Sequence, residues 1–173
     1  MISPDWCRMM AAYNAEMNRR LYRAADTLDD AARRLDRGAF WGSLHGTLSH
    51  LLWGDTTWMS RFDGWQKPAV PQKDSPRLVE DWAALKQARL VADARIEAWA
   101  GALTAERLAA PLVWFSGASQ KRLSMPLWIT VTHFFNHQAH HRGQAHALVT
   151  AAGATTEDTD LPWVVDLPTL GLA

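Results

Sequence analysis

Apolar residues recur at spacings of three and four along most of this chain, and four of these stretches are long enough to form amphipathic helices. The first places Trp6, Met9, Met10, Tyr13, Met17, Leu21, Tyr22, Ala25 and Leu28 on one stripe about 25 residues long. Ser3 suits its N-cap, Pro4 its first position and Asp5 the positive end of its macrodipole. The polar run DDAARRLDRG at 29–38 ends in glycine and reads as the tail of that helix plus a short connection. A second helix is expected over about 41–62, with Ser43 near its start and Leu44, Leu48, Leu51, Leu52, Trp58, Met59 and Phe62 facing inward.

Three prolines and weak periodicity mark 63–76 as a loop. A third helix is expected over about 77–99, with Leu78, Trp82, Leu85, Ala88, Leu90 or Val91, Ile96 and Trp99 apolar, and Ala105 to Leu108 adds a turn. Residues 111–125 divide into two short runs around Ser116-Gly117, which predicts an extended excursion or hairpin. Pro126 restarts the helical pattern, and the fourth helix runs to Ala152 with Gly153 as its cap. The tail from 155, with two prolines and Trp163-Val164-Val165, is expected to drape over the helices without forming another. The pattern predicts an all-α fold, a four-helix bundle with a short extended excursion before the last helix, as a single domain over 1–173.

Composition narrows the function. Eighteen basic residues against eighteen acidic ones, in no long block of either sign, lack the electrostatic footprint of a nucleic-acid binder. No apolar run approaches the roughly 18 residues needed to cross a membrane. The single Cys7 cannot form an internal disulfide and the first residues lack a signal-peptide pattern, so a cytoplasmic setting is expected. Ten tryptophans are many for this length, and most are expected in the core or at a dimer contact.

The chemistry concentrates in THFFNHQAHHRGQAHALVTAA at 132–152, which holds five of the seven histidines. His133, His137 and His141 fall at i, i+4 and i+8, so one helix face carries imidazoles a turn apart, close enough for two ring nitrogens to share an ion. Such a stripe can also be packed or solvated. His50 lies on or beside the buried stripe of the second helix, where a backbone or carboxylate partner satisfies it equally well, and Asp55 is a possible acceptor nearby. If the second helix faces the fourth, His50 completes a three-histidine set with His137 and His141, leaving a position open as in a catalytic zinc site.

Tyr13-Asn14 with Asn18, SLHGTLSHLLWGDTTWMSRF at 43–62, NHQAHHRGQAHAL at 136–148 and DTDLPW at 158–163 together resemble the DinB family of the wider DinB/YfiT-like group, over nearly the whole chain. The resemblance implies an up-down-down-up bundle, a homodimer, and a divalent metal held by His50, His137 and His141. Related members use such a metal to activate a low-molecular-weight thiol, while many have no assigned reaction. His133 reads as a fourth ligand, a pocket base or a rim residue; His45, His140 and His146 read as structural or solvated. Arg142 is expected to pair with an acidic residue or to hold an anionic substrate, and Gln144 and Asn136 are possible supports for the ligands. No catalytic residue is assigned, and Cys7 is placed by no motif beside the histidines.

Two readings follow. One is a metal-dependent enzyme, a thiol S-transferase or hydrolase, acting on a small thiol or other small molecule with Zn²⁺ or Ni²⁺, or else Fe²⁺ or Mn²⁺. The other is a non-catalytic metal-binding stress-response protein.

Overall fold

The computed structural model describes residues 1–117 and 119–172. Four long helices dominate: α1 (Pro4–Asp26), α3 (Leu44–Phe62), α4 (Trp82–Gly101) and α6 (Leu127–Ala151). Between them lie the short helices α2 (Asp30–Arg34) and α5 (Ala105–Ala109) and a 3-10 helix, Gln72–Arg77. A two-stranded antiparallel sheet, β1 (Pro111–Ser116) and β2 (Lys121–Pro126), precedes α6, with Pro111 opposite Pro126. This is the expected excursion; Ala118 within it lies outside the described residues.

Side-chain caps fix most helix starts. Ser3 accepts from the Trp6 amide, Ser43 from Gly46, Asp81 from Ala84 and Thr104 from Arg107. They also revise the expected bounds. Asp29 caps α2 as an element of its own, so 29–38 is more than the tail of α1. Asp81 starts α4 five residues later than expected, and the loop before it contains the 3-10 helix. Ser43 starts α3 after Trp41, which sits instead in a small turn closed by the Ala39–Gly42 bridge, with Gly38 and Gly42 both at positive φ. In the tail, Leu161–Val164 forms a short helix, α7, which the prolines did not suggest. Gly153 adopts φ +92° after α6, as a helix-ending glycine should.

Helix α1 packs on α4 and α6, and α3 packs on the same two. Their apolar stripes meet in a core that includes Leu21, Leu48, Met59, Leu85, Ile96, Phe134 and Phe135. Of the ten tryptophans only Trp65 and Trp99 are fully buried; Trp163 is 77% exposed and the others are half-buried.

A charged network runs through this core. Arg89 on α4, 2% exposed, lies 2.5 Å from Asp55 of α3 and 2.8 Å from Asp93, one turn along its own helix. Asp55 also accepts from Gln138 of α6 at 3.1 Å. Asp93 accepts from Asn18 at 2.9 Å and Asn14 at 3.3 Å, both on α1. The inward face of α4 therefore carries Arg89 and Asp93 at its centre, while Leu90 and Val91, one or the other of which was expected on the apolar stripe, are 54% and 49% exposed. Burial pushes the carboxyls of Asp55 and Asp93 upward against the opposing pull of Arg89, and burial works against the Arg89 charge less than the two carboxylates favour it. Replacing Arg89 by Met leaves two buried carboxylates without their cation, so Arg89→Met is expected to lose about 3–5 kcal/mol in urea unfolding; a loss below about 1 kcal/mol would show that the network contributes little.

Candidate metal centre

Helices α3 and α6 bring His50, His137 and His141 together, with one ring nitrogen from each lying within 4.8 Å of the others. Ring centroids are 4.4 Å apart for His137 and His141, 4.6 Å for His50 and His141, and 5.5 Å for His50 and His137. The i, i+4 spacing supplies the pair on α6, and the packing of α3 on α6 supplies the third ring.

Two of the rings are held from behind. His141 Nδ1 donates to Gln144 Oε1 at 2.8 Å, one turn along α6, which leaves the lone pair on Nε2. His50 Nδ1 is 2.7 Å from Ser75 Oγ, and the Ser75 carbonyl in turn accepts from Ser49 at 2.9 Å. His137 differs: its Nδ1 is buried and has no hydrogen-bond partner among the described residues. Three converging imidazoles, one with an orphaned buried nitrogen and two oriented by outer hydrogen bonds, form a donor set that could hold a divalent ion.

The surroundings keep the rings neutral. Burial pushes His50 and His137 down to about 3, and the neighbouring imidazoles add to the shift. Burial also lowers His141, though its bond to Gln144 opposes this. The Trp41 ring stacks on His50 at 3.9 Å and 23°, and Trp53 flanks it at 5.8 Å. On α3, one turn after His50, Gly54 faces His137: a Cβ there would lie 2.5 Å from Cε1 of that ring. Only glycine leaves room for the imidazole where it is.

The remaining candidates separate. His133 is exposed, 6.0 Å from His137 and edge-on to Trp58 at 5.1 Å, and it is not one of the three converging rings. His45 is buried and bonded to the Val79 carbonyl at 2.9 Å; His146 meets Thr156 Oγ1 at 2.8 Å. His140 stands edge-on to His141 at 4.9 Å, and Asn136 is exposed. Asp55 supports no histidine, because Arg89 and Gln138 occupy it. Arg142 is buried and bonds to Asn14 Oδ1, and none of the acidic side chains among the described residues pairs with it as expected. Burial lowers it to about 10, with Asp55 and Tyr13 opposing. Cys7 is buried and its thiol is pushed up to about 12, far from thiolate at neutral pH. Three positions the sequence reading missed are Ser75, Gly54 and Trp41. Gly54 carried a signal, since an isolated glycine inside a helical pattern usually has a packing reason.

The family model described as the DinB family matches residues 4–169 of the chain. No curated protein and no solved structure matches it.

Because Cβ at position 54 collides with His137, Gly54→Ala is expected to weaken metal affinity about tenfold or more while helix content holds, as read by chelator competition and circular dichroism. Unchanged affinity would mean that the ring's position does not matter. A second expectation concerns protons. The folded pKa values of His50 and His137 lie below the unfolded value near 6.5, so the unfolded chain binds more protons between about pH 6.5 and 3. Stability of the metal-free protein should be full above that window and fall as pH drops through it. Urea midpoints against pH should flatten in His50→Gln; an unaltered slope would contradict the assignment.

Proposed function

This chain belongs to the DinB family, and from that premise we propose that it is a divalent-metal-binding protein whose ligands are His50, His137 and His141. The observation that carries this reading is the convergence of three neutral imidazoles from two helices within 4.8 Å. Neutral nitrogen donors suit Zn²⁺ or Ni²⁺ first, with Fe²⁺ and Mn²⁺ also compatible. When bound, such an ion lowers the pKa of a thiol or water held beside it, which is the chemistry a thiol S-transferase or a hydrolase uses. We assign the chain to that reaction class, with a low-molecular-weight thiol or another small molecule as its substrate.

The chain's own residues have distinct parts in this reading. Ser75 and Gln144 orient the His50 and His141 rings, Gly54 seats His137, and Trp41 excludes water from one side. We propose His133, one turn before His137 with its ring against Trp58, as the group that takes a proton from an incoming thiol or water. Partial burial, with Arg61 beside it, favours its neutral form. One observation favours a second reading, a non-catalytic metal-binding stress-response protein: His50 is 1% and His141 8% exposed, so little of the centre faces solvent. In either case the packing of α1 and α3 on both α4 and α6 supports an up-down-down-up four-helix bundle. No helix of the described residues is long and apolar enough to cross a membrane, and the proposed setting is the cytoplasm.

Elemental analysis is expected to find one divalent ion per chain, lost in His50→Ala, His137→Ala and His141→Ala; metal content unchanged in all three would remove the ligand assignment. Titrating the Co²⁺-loaded protein with cysteine or glutathione should raise a sulfur-to-metal charge-transfer band that His137→Ala lacks. No band with any thiol, together with no exchangeable ligand, turns the case to the non-catalytic reading. We also propose a homodimer, for which light scattering at micromolar concentration should give about twice the chain mass, and a monomer at high concentration would refute it.

A further inference from the structure

A cleft of about 240 Å³ opens between α1, α6 and residues 156–159. Ala139 and Gly143, which line it, each follow a candidate ligand by two residues, so this wall lies about 200° around α6 from His137 and His141. Its wall includes Arg142, only 7% exposed. One guanidinium nitrogen of Arg142 donates to the neutral Asn14 Oδ1, and no carboxylate among the described residues lies within 4.0 Å of it. The nearest buried carboxylates are already committed, Asp55 to Arg89 and Gln138, Asp93 to Arg89, Asn14 and Asn18. A buried cation without a direct counter-ion is costly, and this one borders open space.

The rest of the wall decides the kind of anion. Met17 and Leu21 give it apolar surface. Arg20 is held by Glu16 at 2.6 Å and by the Asp158 carbonyl at 2.9 Å, and Glu157 pairs with Arg23 at 3.2 Å. One cation is therefore left without an anion, which matches a single negative charge. A space of this size suits a small organic anion. We propose that this cleft binds a small monocarboxylate with an apolar body, the carboxylate on the Arg142 fork and the body against Met17 and Leu21.

Calorimetric titration of the purified full chain with benzoate, its neutral isostere benzamide, and inorganic phosphate tests the assignment. Benzoate is expected to bind at least about tenfold more tightly than either other probe, because only it offers a planar monoanion with an apolar ring. Arg142→Gln should abolish the preference. Since that change also touches the buried network, Gly143→Leu is the cleaner variant: a Cβ at this exposed position meets nothing within 4 Å, and the side chain fills the mouth. It should abolish benzoate binding with thermal stability unchanged. His137→Ala and chelator-treated protein should bind benzoate as before, which separates the cleft from carboxylate capture at the metal centre. Equal binding of benzoate and benzamide, preference for phosphate, survival of binding in Gly143→Leu, or its loss in His137→Ala would each overturn the proposal.

Discussion

The buried contact of Arg89 with Asp55 and Asp93 is the constraint on which the rest of this structure depends. Removing such ions from water costs several kcal/mol each, and the cost is offset only where partners arrive in good geometry. Here the partners come from every long helix: Asn14 and Asn18 from α1, Asp55 from α3, Arg89 and Asp93 from α4, and Gln138 from α6. An apolar stripe tolerates sliding, because one aliphatic contact resembles the next. A helix that slips by one turn here strands a charge. Gln138 follows His137 directly, so the bond from Gln138 to Asp55 also fixes the height at which His137 meets His50 across the α3–α6 contact.

Two electrostatic regimes therefore lie side by side. In the network, opposite charges sit close enough for carboxylates and guanidiniums to coexist away from water. A turn away the enclosure is aromatic and imidazole-rich, with Trp41, Trp53 and the other histidines around His50, and no carboxylate among the described residues bonds to the three rings. Protonating any of them would place a bare cation in that setting. The segregation leaves lone pairs on the rings at neutral pH while a network of acidic and basic side chains stands nearby.

How much was legible follows from the kind of signal each element carries. The long helices were readable because their apolar spacing and caps agree, and the hairpin because its two runs flank Ser116-Gly117. Spacing put His133, His137 and His141 on one face of α6 without choosing among them, whereas the choice of His137 and His141 with His50 needed a neighbour that only tertiary packing supplies. The middle of α4 misled, since Arg89 and Asp93 occupy inward positions where the pattern seeks apolar residues, and Leu90 and Val91 face out. Ser75 left no trace at all: it sits 25 residues from His50 in a proline-rich segment, and a serine there has many uses.

The contact of Gly54 with the His137 ring bears on how such chains can be told apart. A protein can keep all three histidines and still be unable to seat the middle one in this position, because any side chain one turn past the His50 equivalent occupies the volume of the imidazole. The discriminating signature is then a histidine followed four places later by glycine, H-x-x-x-G, paired with H-x-x-x-H on the opposing helix. Of the two halves, the one with no chemistry of its own is the more exacting.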